Sequence, residues 1–385
     1  MDCMVPQDCP FHLHIIFNCT IHPQVLLDTF LRPFPEIKSK ESLVAKHLTE
    51  AAWKKLNQIR TGTSKFTLSR AIACALQYDD QHCGIYAGDW DSYIQFSDVF
   101  DPIINDYHNI SPTAIHKSDM HFSKINKRID SNARVKSIRI RVGRNFAGFG
   151  LSPGISREQR LQLEKIMATV FAGLPGDLKG KYHPLSTMAE EDRQKLVDDH
   201  FLFVSGDKNL TAAGMERDWP EGRGIFHNEE KNFLVWVNEE DQLRIIAMKR
   251  GSDIKGAFLT LVRGIVAIEE ALRDDFGHKV MLHRKYGYIH SCPTNLGTGM
   301  RASVHIELPG FTKLGTDVLK KRCEDLALQA RGTRGESGGY TDITYDISNK
   351  HRLGYTEVGL ILTLVNGINT LAKEDKQILV DLSPK

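Results

Sequence analysis

The sequence lacks a hydrophobic run long enough to cross a membrane, which takes roughly 18 consecutive apolar residues. The nearest stretch, residues 11–27, is interrupted by three histidines, an asparagine and a proline. No basic segment precedes it, so the pattern does not predict a signal peptide. We therefore expect a cytoplasmic protein that has no membrane partner.

An excess of charge of one sign is also missing. The chain has 50 Lys and Arg residues against 48 Asp and Glu, for a formal net charge of +2. This balance gives no electrostatic basis for binding nucleic acid. The seven cysteines are an odd number and show no CxxC pair or Cys/His zinc spacing. That pattern predicts free thiols in a reducing compartment and no zinc site.

The two common phosphate-binding loops, GxxxxGK[ST] and GxGxxG, are absent from the chain. If the protein binds a nucleotide, arginines must hold the phosphates. An arginine on the polar face of a strand is often only solvated. Arg139 and Arg141, however, alternate with Ile138, Ile140 and Val142 in one predicted strand, and guanidinium groups bind phosphate oxygens in bidentate fashion. This alternation favours an anion site.

The 385 residues divide into segments of different pattern. Residues 1–38 have weak periodicity and are interpreted as an N-terminal extension. A helical pattern follows from about residue 42 to 78, and a polar connection at 111–133 suggests a domain boundary. Strands mixed with helices follow from residue 135. We predict an α+β protein with a small helical domain at 39–115 and a larger domain at 116–385.

The stretch SCPTNLGTGMRASVHIELP, residues 291–309, combines a lone cysteine, a turn and a strand. After Cys292 come several turn formers, and then Arg301, Ser303 and His305 alternate with apolar residues. By itself this pattern fits a redox site, an anion site or a hairpin with a buried cysteine, which is the commoner fate of that residue type.

Two acidic positions stand out, although acidic turns and glycine-rich loops are usually solvated surface. Glu240 lies in the turn WVNEEDQLR, between two apolar segments and just before Arg244. Glu336 lies in the glycine-rich segment RGTRGESGGY, together with Arg331. Composition alone leaves both interpretations open.

Taken together, the motifs resemble the phosphagen kinases, the ATP:guanidino phosphotransferases, over about residues 40–380. The matching segments occur in the family's order: SIRIR (137–141), HFLF (200–203), WPEGRGIFHNEEKNFLVWVNEED (219–241), CPTNLGT (292–298), RGTRGE (331–336) and YDISNKHRLG (345–354). The resemblance implies an all-helical N-terminal domain and a larger domain with a mainly antiparallel sheet flanked by helices. It implies reversible phosphoryl transfer from ATP, with Mg²⁺, to a small guanidino compound by a monomer or homodimer.

The resemblance also implies roles for individual residues. Those assigned to the ATP phosphates are Arg139, Arg141, Arg244, Arg301 and Arg331, with His200 and His305 at the adenine and ribose. Glu240 and Glu336 bracket the substrate guanidinium, and Cys292 and Thr294 lie at its reacting end. The carboxylate and amine of the substrate fall to Tyr86 and to the backbone of Gln81, His82, Cys83 and Gly84.

Arg334 and Glu336 are typical of the family members that phosphorylate arginine, as is the short segment before GIYAGDWDSY. Glu336 counts against creatine. Taurocyamine or glycocyamine as substrate, or a catalytically silent relative, are the alternatives. The sequence departs from the arginine pattern at Gln81, His82 and Cys83, which replace small residues, and in an Asp80–Lys208 pair that replaces an Asp–Arg tether. Because arginines were expected around Cys292, the sequence predicts a thiolate there.

Overall fold

Six short helices form the first unit of the computed structural model, which describes residues 33–332 and 343–383. Side chains of Ser42, Thr49, Thr67 and Asp89 cap four of them by accepting a backbone N–H from the first turn. The helices are α1 (Leu43–His47), α2 (Glu50–Leu56), α3 (Leu68–Ala71), α4 (Ala73–Gln77), α5 (Trp90–Gln95) and α6 (Ser97–His108).

An eight-stranded sheet forms the centre of the second unit. Its strands are β1 (Val135–Arg144), β2 (Gly180–Pro184), β3 (Gly224–Asn228), β4 (Phe233–Val237), β5 (Leu243–Arg250), β8 (Met300–Glu307), β9 (Leu328–Arg331) and β10 (Thr344–Asn349). They lie in the order β2-β3-β4-β5-β1-β8-β10-β9, and every neighbouring pair is antiparallel. A separate pair, β6 (Leu282–His283) and β7 (Gly287–Tyr288), precedes Cys292.

Helices cover one face of this sheet. Ile138, Ile140 and Val142 of β1 belong to a core that includes residues from three long helices. These are α7 (Arg157–Ala172), α10 (Ile254–Phe276) and α13 (Glu357–Asp381); the shorter ones are α8 (Glu190–Asp198), α9 (Lys208–Ala212), α11 (Pro309–Leu314) and α12 (Thr316–Asp325). Within the described residues, none of the helices is sufficiently long and apolar to span a bilayer.

The predicted fold class, a helical unit followed by a larger unit with an antiparallel sheet and flanking helices, is confirmed. A capping box opens α7, in which the side chains of Ser156 and Gln159 each accept a hydrogen bond from the other residue's backbone amide. The two apolar segments on either side of the turn that holds Glu240 are the paired strands β4 and β5. The domain boundaries near residues 38 and 115 stay predictions.

The two units share a hydrophobic core and several hydrogen bonds. Apolar residues of the larger unit, among them Ile289 and Leu296, pack into the core of the helical unit. The amide of Ala87 donates to the Ser291 carbonyl at 2.8 Å, and the Tyr93 hydroxyl donates to the His290 carbonyl at 2.7 Å. The segment just before Cys292 is thereby fixed against the loop that leads into α5.

We expect Ile140→Ala to lower the free energy of unfolding by about 2–5 kcal/mol, because it leaves a cavity on the fully buried face of β1. Lys136→Ala is the matched control. Its side chain is 58% exposed in an ion pair with Glu307, so the change should cost less than about 1 kcal/mol. Urea unfolding followed by fluorescence measures both. A larger loss in Lys136→Ala would contradict the assignment of the two faces.

Candidate active site

The register of the sheet gathers the five predicted arginines on the face opposite the helices. Arg141 pairs directly with Arg301, and Arg139 pairs with Ser303. Arg244 pairs with Gly143, which has the same parity on β1 as Arg139 and Arg141. His305 of β8 pairs with Asp346 of β10, and Asp346 pairs in turn with Arg331. Since cross-strand partners share a face, one surface carries all five guanidinium groups.

Some of these guanidinium groups have partners and others keep donors unused. Arg301 donates to Asp346 Oδ2 at 2.8 Å, and Arg139 lies 5.5 Å from the ring centre of Trp236. The Nε atoms of Arg139 and Arg301 are buried and have no hydrogen-bond partner within the described residues. Buried donors of this kind are costly unless a ligand satisfies them. The face therefore fits an anion with several acceptor oxygens.

Burial and neighbouring positive charges make the charged forms of Arg139 and Arg141 unfavourable. Burial and then the neighbouring Arg301 lower the pKa of Arg139 to about 10. Burial, Arg244 and Arg301 lower the pKa of Arg141 well below its ordinary value. Neighbouring guanidinium groups of like charge repel one another strongly where water is excluded. A polyanion would relieve that repulsion.

The turn between β4 and β5 places carboxylates beside Arg244. Its Nη2 lies 2.6 Å from Glu240 Oε2, and its Nε lies 3.2 Å from Glu239 Oε2. Burial alone would lower the pKa of Arg244, but these carboxylates and Asp241 together raise it. Burial raises the pKa of the Glu240 carboxyl, and Arg244 only partly opposes that effect. Glu240 is therefore a stronger base than an exposed carboxylate.

Asp241, which the sequence did not single out, ties this turn to the segment before Cys292. Its Oδ1 accepts from Asn145 Nδ2 at 2.8 Å and from the amide of Ser291 at 2.9 Å. Its Oδ2 lies 2.9 Å from Nδ1 of His290. The side chain is almost fully buried. One carboxylate thus orients both Glu240 and Cys292.

Cys292 lies at the start of a single helical turn, Pro293–Asn295, and its Sγ is 3.0 Å from the Thr294 hydroxyl. The prediction of a thiolate surrounded by arginines is wrong for this structure. A hydrogen bond with Cys83 raises the pKa of the Cys292 thiol, burial raises it further, and the Glu240 carboxylate adds to the effect. The hydrogen bond with the Thr294 hydroxyl acts in the opposite direction, but the balance favours the protonated thiol.

A cavity of about 490 Å³ brings together residues that are far apart in sequence. Of the predicted site residues, those that line it are Gln81, His82, Cys83, Gly84, Tyr86, Arg141, Glu240, Arg244, Cys292, Thr294 and Arg331. An adjoining cavity of only about 10 Å³ is lined by Arg141 and Arg244 again, and by Arg301. Two half-sites therefore meet at Arg141 and Arg244, one with carboxylates and thiols and the other with arginines.

The loop at residues 81–87 forms one wall of the larger cavity. Gly84 has a φ of +82°, and an added Cβ would lie 2.9 Å from the Cβ of Ala75, so only glycine fits there. The amide of Gln81 is already bonded to Ser39 Oγ at 2.9 Å and is not available to a ligand. In the described part of the chain, the amides of His82, Cys83 and Gly84 have no acceptor.

The predicted Asp80–Lys208 contact is present at the cavity edge, where Lys208 Nζ donates to Asp80 Oδ2. Both side chains are about half exposed, so the pair contributes little stability.

Tyr86 lies at the inner end of the loop. Burial raises the pKa of its hydroxyl well above the ordinary value, and the nearby Cys292 and Glu240 add to the shift. Tyr86 therefore remains a protonated donor.

The two predicted histidines lie at the outer part of the arginine face. His305 Nδ1 is 3.3 Å from Ser137 Oγ, and its Nε2 is 3.9 Å from Asp346 Oδ2. Burial lowers the pKa of His305, and Arg139, Arg301 and the exposed His200 contribute to that shift. His305 is therefore close to the arginines, and neither histidine lines either of the two cavities.

One predicted site residue cannot be placed, and two residues besides Asp241 were missed. Glu336 lies outside the described residues, as does Arg334. Asp346 and Arg352 were not assigned roles, although the YDISNKHRLG motif contains both. Arg352 donates to the Thr294 carbonyl at 2.9 Å and lines both cavities. Among the described residues, no group of three His, Cys, Asp or Glu side chains is placed to hold a metal ion.

Comparison with known proteins identifies the family. The model of the ATP:guanido phosphotransferase N-terminal domain matches residues 38–105, and that of the C-terminal catalytic domain matches residues 162–378. An arginine kinase of Stichopus japonicus is 42% identical over 91% of this chain and 96% of its own length. A glycocyamine kinase of Hediste diversicolor is 39% identical over 91% of this chain and 92% of its own length. The crystal structure of a lombricine kinase superposes with a TM-score of 0.85 at 36% identity, covering 91% of this chain and 96% of the other. The chain therefore belongs to the ATP:guanido phosphotransferase family, the phosphagen kinases.

We expect Arg141→Met to raise the melting temperature of the ligand-free protein by a few °C, because it removes a buried charge among like charges. The same change should weaken MgADP binding about 10- to 100-fold, since charged hydrogen bonds are lost. Arg250→Met, at the exposed end of β5, is the control and should leave both quantities nearly unchanged. Calorimetry and titration measure them. Unaltered MgADP affinity in Arg141→Met would contradict the phosphate assignment.

Proposed function

We propose that this phosphagen kinase transfers the γ-phosphoryl group of ATP reversibly to the guanidino group of L-arginine. The observation that carries the proposal is the cavity of about 490 Å³, in which carboxylates and thiols meet the arginine face at Arg141 and Arg244. Phosphoryl transfer needs an aligned nucleophile and neutralised phosphate oxygens more than it needs covalent participation of the protein.

The arginine face is the nucleotide half of the proposed site. Buried donors without partners on Arg139 and Arg301 are suited to phosphate oxygens. Arg141 and Arg331 would complete the set, with His200 and His305 at the adenine and ribose. These groups are held before ATP arrives, so little reorganisation accompanies charge transfer to the β-phosphate. Mg²⁺ would enter as MgATP and neutralise charge on the phosphates.

Glu240 is the proposed base for the guanidino half. A guanidinium is a poor nucleophile because it is protonated and its lone pairs are delocalised. The buried carboxylate of Glu240, with its raised pKa, can orient one N–H of the substrate and accept a proton as the N–P bond forms. Arg244 holds this carboxylate at 2.6 Å, so its orientation is set before substrate binds. Glu336 is the proposed second carboxylate.

Cys292 is proposed as a partner of the guanidinium and not as a nucleophile. In the substrate-free site its thiol is kept protonated by Cys83, burial and Glu240. A bound guanidinium would lower the pKa of the thiol, because a nearby cation favours the thiolate. Substrate would therefore create the charge that holds it.

The free amides of His82, Cys83 and Gly84 are proposed to bind the substrate carboxylate, with the Tyr86 hydroxyl nearby. Arginine is favoured because the cavity is large and because relatives named as arginine kinases are 42% and 43% identical to this chain. Glycocyamine or taurocyamine is the alternative within the family. The bulky side chains of Gln81, His82 and Cys83 are the feature that would favour a shorter substrate.

A coupled assay of ADP release tests the substrate. Purified protein with MgATP should turn over L-arginine with a higher kcat/KM than glycocyamine, taurocyamine, lombricine or creatine. Formation of phosphoarginine is checked by ³¹P NMR, and the reverse reaction by ATP synthesis from it. Turnover of taurocyamine without turnover of arginine would overturn the substrate and leave the family intact.

We expect Glu240→Gln to lower kcat about 10²- to 10⁴-fold, the range for loss of a general base, while MgADP affinity changes little. A base acts ionised, so wild-type activity should fall as pH drops through the raised pKa of Glu240, above the ordinary value of about 4.3. Glu239→Gln, which also loses a bond to Arg244, is the matched control and should keep this acid limb. If the activity of Glu240→Gln still falls at low pH in the same way as that of the wild type, Glu240 is not the base.

A further inference from the structure

Two cysteines from different units contact each other inside the proposed guanidino site. Cys83 comes from the loop of the helical unit, and Cys292 follows β7 in the larger unit. Both side chains line the cavity of about 490 Å³, and the hydrogen bond with Cys83 is the largest cause of the raised pKa of the Cys292 thiol. Of the four cysteines that the structure describes, Cys74 instead contacts the Asn209 carbonyl, and Cys323 is part of the core beneath the sheet.

The backbone around the two thiols is fixed on both sides. The Ala87–Ser291 and Tyr93–His290 hydrogen bonds join the two segments close to the cysteines. The carbonyl of Cys83 accepts from the amide of Val44, which anchors the loop to α1. The Asp241 carboxylate holds His290 and Ser291. The thiols are therefore neighbours because of the frame around them.

We infer that Cys83 and Cys292 form a reversible disulfide under oxidation by a hydroperoxide, and that this bond closes the guanidino site. The expected loss of turnover rests on the proposed function, whereas formation of the disulfide does not. The bond would join two units of the fold across the cavity that accepts the substrate.

The chemistry proceeds in two balanced steps. The Cys83 thiolate attacks H₂O₂, the O–O bond breaks, and the departing hydroxide takes a proton to give a sulfenic acid and water. The Cys292 sulfur then attacks the sulfenic sulfur, the S–O bond breaks, and a second water leaves as the disulfide forms. Overall, two thiols are oxidised by two electrons and one hydroperoxide is reduced to two waters.

The surroundings assign the two roles. Cys83 is partly exposed at the cavity wall and is accessible to a small oxidant, whereas Cys292 is 6% exposed. The hydrogen bond with Cys83, burial and the Glu240 carboxylate raise the pKa of the Cys292 thiol, so Cys292 is not the group that attacks the oxidant first. Cys83 is thus the attacking residue and Cys292 the resolving one. Burial raises the pKa of both Cys74 and Cys323 to about 12, so these thiols react slowly.

The disulfide would have two separable consequences. It removes the Cys292 thiol from the guanidinium and places a covalent bridge at the cavity wall, so turnover stops. It also cross-links residues that are distant in sequence, which raises stability by restricting the unfolded chain. The first consequence needs the proposed activity, and the second does not.

The test uses the full chain, treated with increasing H₂O₂ and then alkylated under non-reducing conditions. Trypsin leaves Cys74 and Cys83 together in residues 71–117, so a second cleavage at Asp80 is needed to separate them. We expect a cross-linked peptide that joins Cys83 to the tryptic peptide 286–301 and disappears with dithiothreitol. The melting temperature should rise on oxidation in wild type but not in Cys83→Ser. Activity should fall more than tenfold and return on reduction, with each variant normalised to its own reduced form.

Cys74→Ser and Cys323→Ala are the matched controls and should oxidise like wild type. A Cys74–Cys83 cross-link, or equal peroxide sensitivity of wild type and Cys83→Ser without the 83–292 peptide, would overturn the inference. If the protein phosphorylates a guanidino compound other than arginine, or none, the cross-link and the melting temperature still decide the question. Failure of the disulfide and failure of the proposed function are therefore distinguishable.

Discussion

The buried carboxylate of Asp241 is the interaction on which the geometry of the site depends. A carboxylate out of water costs several kcal/mol unless hydrogen bonds and a cation compensate it. Asn145, His290 and the amide of Ser291 supply those bonds within 2.9 Å, and Arg244 lies 3.9 Å away. These partners come from the residue after β1, from the segment after β7 and from β5. Because all of these partners must be in place, Glu240, which precedes Asp241, and Cys292, which follows Ser291, line the same cavity.

The arginine face follows the opposite logic, since its polar groups are not satisfied by the protein. Packed isoleucine and valine side chains on the far side of β1 hold Arg139 and Arg141 in register with Arg301 and Arg244. The stability of the helix-covered core thereby sustains a surface whose charges repel one another. Preorganised donors of this kind act on a developing charge without first having to turn toward it. Repulsion among the arginines lowers the stability of the free protein, and relief of that repulsion favours binding of a polyanion.

Most of the fold was predictable because its signals are local. Alternation in β1 and β8, the capping box of α7 and the apolar pair β4–β5 are all visible over ten or twenty residues. The protonation state and the neighbours of Cys292 could not be predicted as well from the sequence. Cys292 was predicted to be a thiolate among arginines, but its neighbours are Cys83, Thr294 and Glu240. Contacts between residues 83 and 292 depend on how the two units pack, which no local pattern encodes. Asp241 and Asp346 were missed for the same reason, since each is defined by partners on other strands.

The core shared by the two units has a consequence for exchanging parts between relatives. Met281, Tyr286, Ile289 and Leu296 of the larger unit complete the packing around the helices that carry the substrate loop. Tyr286 is also anchored to Asp101 of α6 through its hydroxyl. A chimaera that takes only the helical unit from another phosphagen kinase would inherit a loop whose supporting side chains belong to the old sequence. Transplanting substrate choice would therefore require the helices and residues 281–296 to move together, as one inherited block.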